Sequence, residues 1–124
     1  MEYEERIFEL RMQGYCCSQI IVQLWLEEKG RENPDLIAAM RGLCNGLQEG
    51  KTCGTLIAAN CVLYLEDPEL AQRERNIQLL DWFEDIYGSL ECSEITQGNP
   101  LKKIEICPDL VVSTYMKLVD LMDW

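Results

Sequence analysis

The chain has 124 residues, 11 Lys+Arg against 22 Asp+Glu for a net charge of −11, seven cysteines and no histidine. That is the length of one domain able to bury its own core, and the absent histidine excludes Ser-His-Asp and Cys-His catalysis, HExxH zinc hydrolases, carboxylate–histidine di-iron bundles and histidine-ligated haem. The acidic excess disfavours phosphate backbones and anionic lipid, so neither nucleic acid nor a membrane surface is an expected partner, and no run of about 18 apolar residues exists to cross a bilayer.

The predicted elements are all helical. The opening stretch MEYEERIFELRMQG mixes charge into every turn, unlike a secretory signal or a transit peptide, and predicts a helix over 2–13 in a cytoplasmic protein. A second helix is expected over 16–29. Asn33-Pro34-Asp35, Asp67-Pro68-Glu69 and Cys107-Pro108-Asp109 share one pattern: a capping residue, Pro at the first helical position and an acid in the first turn. Helices over 34–44, 68–88 and 107–123 are predicted from these starts. Between them lies 52–66, apolar nearly all round, which suits the centre of a bundle. In 68–88 the stripe runs Leu70, Ile77, Leu80, Phe83 and Tyr87, with Gly88 as the stop. In 107–123 it runs Val111, Tyr115, Leu118 and Met122, widened by Val112 and Val119. The reading is an all-α, compact bundle of five to six helices, 1–124 forming one domain. Trp25, Trp82, Phe83, Tyr87 and Tyr115 sit at helical spacing, as core or interface residues do. Met122 and Trp124 give the chain an apolar end, a candidate homodimer contact if it is not packed inside.

In a reducing compartment, seven cysteines point to redox chemistry or metal ligation more than to structural bridges. Four fall at predicted element boundaries: Cys17 opens the second helix, Cys53 follows a Thr52 cap, Cys92 lies past Gly88, and Cys107 occupies the capping position of its motif. A helix N-terminus offers free amide N–H groups and partial positive charge, which favour thiolate over thiol. The effect is about 0.3–1 kcal/mol, less than one unit of pKa, so moderately reactive thiols are expected. Cys44 and Cys61 fit burial as small hydrophobes, and Cys16 turns about 100° away from Cys17. Lys51 is the one cation close in sequence to Cys53. The stretch Gly46–Thr52 mimics a phosphate-binding loop, but the first glycine would belong at position 45, which is Asn45, and no strand pattern precedes it.

The segments Gly14-Tyr15-Cys16-Cys17-Ser18-Gln19, Gly50-Lys51-Thr52-Cys53-Gly54-Thr55, Tyr87-Gly88-Ser89-Leu90-Glu91-Cys92 and Cys107-Pro108-Asp109-Leu110-Val111 resemble the four cysteine blocks of the C_GCAxxG_C_C family in order and spacing. Carried over position by position, the family's cysteines correspond to Cys17, Cys53, Cys92 and Cys107, with Cys16, Cys44 and Cys61 additional. The glycine-containing element reads Cys53-Gly54-Thr55-Leu56-Ile57-Ala58, with Thr in place of Ala and Ala58 in place of the second Gly. The resemblance implies a redox-active protein whose four cysteines form the site, with Gly54 and Lys51 beside any bound group. Its first form is thiol–disulfide exchange or electron transfer that requires no cofactor, Cys92 and Cys107 being the nearer pair in sequence, with a redox partner protein or a small thiol as partner. Its second is an electron-transfer module in which the same four thiolates hold an iron–sulfur cluster or zinc. A third reading is an acidic helical interaction domain whose cysteines are structural.

Overall fold

The computed structural model describes residues 3–122, and the helix starts follow the capping chemistry. Helix α1 spans Tyr3–Met12 and α2 spans Cys17–Glu28, close to the expected ranges. Asn33 accepts a hydrogen bond from the Leu36 amide and, with Pro34 behind it, opens α3 (Pro34–Met40), which tightens into a 3₁₀ turn at Arg41–Leu43. Helix α4 is Gly54–Glu66. Asp67 accepts from the Leu70 amide and opens α5, which runs as Pro68–Leu70, a π-helical turn at Ala71–Arg75, and Asn76–Tyr87, ending at Gly88 in the left-handed region. A short α6 (Cys92–Ile95) and a long α7 (Pro100–Leu121) complete the chain. The protein is all-helical. Among the described residues the seven helices exceed the expected five to six by α6, and the one extended contact is an isolated antiparallel bridge between Thr52 and Glu91.

Two predicted elements need correction. The helix expected at Cys107 begins seven residues earlier, because Asn99-Pro100 carries the same signal as Asn33-Pro34: the Asn99 side chain accepts from the Leu101 amide and Pro100 takes the first helical position. Pro108 therefore lies inside α7, where its missing N–H deprives the Ile104 carbonyl of a helical donor, a defect of about 3 kcal/mol in an exposed helix. Burial of Leu110, Val111, Tyr115 and Leu118 immediately downstream carries the helix through it. In α5 the buried face is Ala71, Leu79 and Phe83, while Ile77 is 55% exposed. The π turn adds a residue to one helical turn and so rotates everything after it, which a reading at constant 3.6-residue period misses.

Helix α4 is the centre of the bundle. Its Leu56, Ala58, Ala59, Val62 and Leu63 are fully buried, and it packs against α2, α5 and α7. The expected stripe of α7 is buried, Met122 included, so Met122 is packed inside rather than left free for a partner; Trp124 lies outside the described residues. Trp25, Phe83 and Tyr115 are core residues; Trp82 packs edge-on against Phe83 and Tyr87, and Tyr87 lies tilted against Phe83. At the far end of α2 and α4, Glu66 accepts from Trp25 Nε1 at 2.7 Å and from Lys29 Nζ at 2.6 Å. No helix among the described residues is long and apolar enough to cross a membrane.

At Gly54 two backbone segments approach closely. A Cβ there would overlap the carbonyl oxygen of Leu43 and stand 2.9 Å from its carbonyl carbon. This contact seats the start of α4 directly on the segment that carries Cys44.

Gly54→Ala is expected to cost about 2–3 kcal/mol, because the obstacle is backbone rather than a side chain that can turn away; chemical denaturation measures it. A second expectation concerns acid. Partial burial would raise the Glu66 carboxyl, but hydrogen bonds from Lys29 and Trp25 hold it below its ordinary value; at Glu27 the hydrogen bonds from Arg6 outweigh burial in the same direction. Both carboxylates contribute stability that is complete above the unfolded-state value near 4.3 and is lost as pH falls through the lower folded values. Urea titrations at stepped pH should show this acid loss, shallower in Glu66→Gln, which starts from a lower stability.

Candidate functional site

One cavity of about 200 Å³ collects six of the seven cysteines. Its wall comprises Arg11 from the end of α1, Cys16, Cys17 and Ser18 from the start of α2, Cys44, Asn45 and Gly46 after the 3₁₀ turn, Cys53, Gly54 and Thr55 from the start of α4, Cys92 from α6, and Lys103 and Cys107 from α7. All four cysteines singled out from the sequence, Cys17, Cys53, Cys92 and Cys107, line it and carry free thiols.

Local structure explains each placement. Cys17 is the first residue of α2, with Cys16 as its N-cap; the Cys16 amide donates to Gln19 Oε1, three residues on. Cys53 is itself the N-cap of α4. The expected cap, Thr52, is turned away into the bridge with Glu91, its hydroxyl donating to the Glu91 carboxylate at 3.2 Å. That bridge brings distant cysteines to one wall: the Cys53 amide donates to the Leu90 carbonyl at 2.8 Å and the Cys92 amide to the Lys51 carbonyl at 2.7 Å. Cys107 stands in the body of α7, so the expected capping position does not arise. Cys107 reaches the cavity because α7 passes it.

Two of the three cysteines outside the family pattern supply the largest surprise. Cys16 and Cys44 are joined as a disulfide, their Cα atoms 6.4 Å apart and 28 residues apart in sequence. Burial as a lone hydrophobe does not describe Cys44, and the pair nearer in sequence, Cys92 and Cys107, is not bonded. The buried Ser18 hydroxyl donates to the Met40 carbonyl at 2.6 Å and lies 3.2 Å from the Cys44 sulfur and 3.4 Å from the Cys16 sulfur, fixing the bridge against the end of α3. Cys61 is half-buried against the core, away from the cavity.

Electrostatics separate the four thiols. Burial pushes the Cys53 thiol up; the amides of Leu56 and Thr55 and the Thr55 hydroxyl, at the start of α4, offset only part of that, and neighbouring Cys17 adds to the rise. Cys107 is pushed up to about 12, first by burial and then by Cys17 and Cys53, with Lys103 opposing the rise and Cys92 adding a little to it. The helix-end effect expected from the sequence is real at Cys53 but smaller than desolvation. Cys17 differs in kind: it is partly exposed, and the Arg11 guanidinium donates to its sulfur at 3.8 Å.

Arg11, Lys103 and Ser18 were not visible as site residues in the sequence. Lys103 lies one helical turn before Cys107 and would have been legible had α7 been extended back to Pro100. Ser18 adjoins Cys17, and Arg11 offers no local signal at all. Lys51, by contrast, is exposed, and only its backbone takes part, as acceptor for Cys92. Gly54 contributes to the wall by bringing Leu43 and Cys44 close. Among the described residues no three Cys, Asp or Glu side chains converge closely enough to hold a metal ion.

No curated protein and no solved structure matches the chain. A family model described as "Putative redox-active protein (C_GCAxxG_C_C)" matches residues 15–121, a span that starts just before the Cys16–Cys17 block and ends with α7. With its four cysteines on one cavity wall, the chain belongs to the C_GCAxxG_C_C family.

Proposed function

We propose that the cavity performs thiol–disulfide exchange, with Cys16–Cys44 as the electron acceptor inside the protein and Cys17, Cys53, Cys92 and Cys107 as the thiols that exchange with it. The observation that carries this reading is the presence of one disulfide and four free thiols on the wall of the same small cavity. In the first step a cavity thiolate attacks one sulfur of the bridge. A new S–S bond forms as the Cys16–Cys44 bond breaks, and the departing sulfur leaves as thiolate and takes up a proton. A second cavity thiol, losing its proton, attacks the mixed disulfide. Two electrons have then passed from the thiol pair to Cys16 and Cys44, and the cavity holds a disulfide available to an outside thiol.

Geometry favours Cys17 as the attacking sulfur toward outside partners. It is more accessible than Cys53, sits at the N-terminus of the twelve-residue α2, and has the Arg11 guanidinium placed to hold negative charge on it. Cys53 and Cys107 are suited to the resolving step, since burial keeps them protonated until a neighbouring sulfur is already in a mixed disulfide.

The direct test is peptide mapping after acid quenching and alkylation. Before exchange, the one bridge should be Cys16–Cys44; after equilibration with a limiting amount of reduced dithiol, bridges among Cys17, Cys53, Cys92 and Cys107 should appear. The reading fails if these four remain free thiols throughout reduction and reoxidation. A kinetic expectation follows from the raised thiols. In the double variant Cys17→Ser/Cys92→Ser, the residual rate should climb about ten-fold per pH unit from neutrality to pH 9 without a plateau, because the remaining thiolate fraction keeps growing below the pKa. Stopped-flow rates with a chromogenic disulfide measure it.

A further inference from the structure

From the charge of the cavity wall we infer that the outside partner of this exchange is a small anionic disulfide or thiol, of about ten non-hydrogen atoms, recognised by Arg11 and Lys103. The inference rests on the exchange reading above and adds the substrate class.

Three observations support it. First, the chain has 22 acidic side chains, and none among the described residues lines the cavity, whereas two of its 11 cations do. Among the described residues neither Arg11 nor Lys103 forms an ion pair, so neither is engaged by a protein carboxylate. Glu4 and Asp109 line an adjoining groove that shares Arg11, and the Glu91 carboxylate, beside Cys92, accepts from the Thr52 hydroxyl without lining the cavity. A protein this acidic repels anions at long range, and an inward-facing pair of cations without acids is what a site for an anion requires. Second, the cations stand beside the reacting sulfurs. Arg11 donates to the Cys17 sulfur, and Lys103 lines the wall one helical turn from Cys107, where its charge favours the thiolate. A carboxylate on a substrate held there would bring its own sulfur among the thiols. Third, size and depth select a small molecule over a protein. The cavity of about 200 Å³ is smaller than the pockets of roughly 300–1,000 Å³ that take drug-sized ligands. Cys53 is about nine-tenths buried and Cys44 is as deep, so a substrate held among these sulfurs must itself enter the cavity past Cys17. Asn45, Ser18 and Thr55 supply neutral polar groups to the same wall.

The exchange balances without another reagent. The Cys17 thiolate attacks one sulfur of the disulfide R–S–S–R, forming Cys17–S–S–R and releasing R–S⁻, which takes a proton. A second cavity thiol gives up its proton and attacks Cys17–S–S–R, releasing the second R–S⁻, which is protonated in turn. The sum is two protein thiols and one disulfide giving one protein disulfide and two small thiols.

The experiment uses the full chain, reduced, with three disulfides of similar size: dianionic 3,3′-dithiodipropionate, neutral bis(2-hydroxyethyl) disulfide and dicationic cystamine. Each rate is divided by that of dithiothreitol with the same disulfide, which removes differences in leaving-group reactivity, and is measured at about 0.5 M KCl, where screening over roughly 4–5 Å suppresses the surface field but not contacts inside the cavity. The dianion should be favoured over the dication by about ten-fold. Arg11→Gln and Lys103→Gln should each lower that ratio about three-fold, as expected for partly exposed charge pairs, and Arg11→Lys should restore most of it. Equal normalised rates for the three disulfides, or a ratio unchanged in the Arg11→Gln/Lys103→Gln double variant, would overturn the anionic substrate class while leaving the exchange reading standing. Failure of the reduced protein to react with any of the three overturns both.

Discussion

The site depends on one steric contact, the seating of the first residue of α4 on the backbone of Leu43. Only a residue without Cβ fits there. Because the chain at Leu43 and Cys44 lies directly against Gly54, Cys44 is held within bonding reach of Cys16 on α2, and Cys53, one residue before Gly54, is delivered to the same wall. Ala58, which stands where the family element has its second glycine, is fully buried in the bundle with its methyl in place. Of the two positions, the one beside the cysteine is the one whose missing side chain the fold uses.

Placing thiols in such a wall sets two opposed effects against each other. Helix termini lower the cost of a thiolate by a few tenths to one kcal/mol, while removal from water raises it by more. At Cys53 both act, and burial wins; at Cys107 there is no helix terminus, and burial acts with the neighbouring sulfurs. Cys17 alone combines a helix start, partial exposure and a guanidinium. The four cysteines of the family pattern are thus chemically unequal, and the inequality arises from depth and neighbours, neither of which is written in cysteine spacing.

What could be read from the sequence divides along the same line. Capping residues, prolines and apolar periodicity act locally, so α1 to α4 and the start of α5 lie near their expected positions, and the buried face of α7 was legible down to Met122. Cys107-Pro108-Asp109 was misread because a proline motif at a helix start and a proline tolerated within a helix look alike, and the stronger signal, Asn99-Pro100, stood seven residues upstream. The shared wall of Cys17, Cys53, Cys92 and Cys107 was anticipated from boundaries and from family resemblance. The Cys16–Cys44 bridge, the turn of Arg11 toward Cys17 and the depth of each thiol follow from tertiary packing, for which local pattern carries no code.

The loop between Cys44 and α4 shows how closely the site and the backbone are linked. Asn45, Gly46, Leu47 and Gln48 all have φ between 56° and 64°, four successive left-handed residues of which one is glycine. For Leu47 and Gln48 this costs on the order of 1–2 kcal/mol each, and Leu47 is half-exposed, so hydrophobic burial offsets little of it. Such a conformation persists only where its surroundings over-determine it. Here the entry is tied through Cys44 to Cys16, and the exit through the Lys51 carbonyl to Cys92, through the Cys53 amide to Leu90, and through the Thr52–Glu91 bridge. The Lys51 amide closes the turn on the Gly46 carbonyl, at a point where any Cβ on Gly46 would meet the Lys51 backbone. The loop is strained because it must join two walls of the cavity over a short span, and the ties that hold it end on Cys16, Cys44, Cys53 and Cys92. Cysteines of the cavity wall therefore also fix the backbone that brings them together.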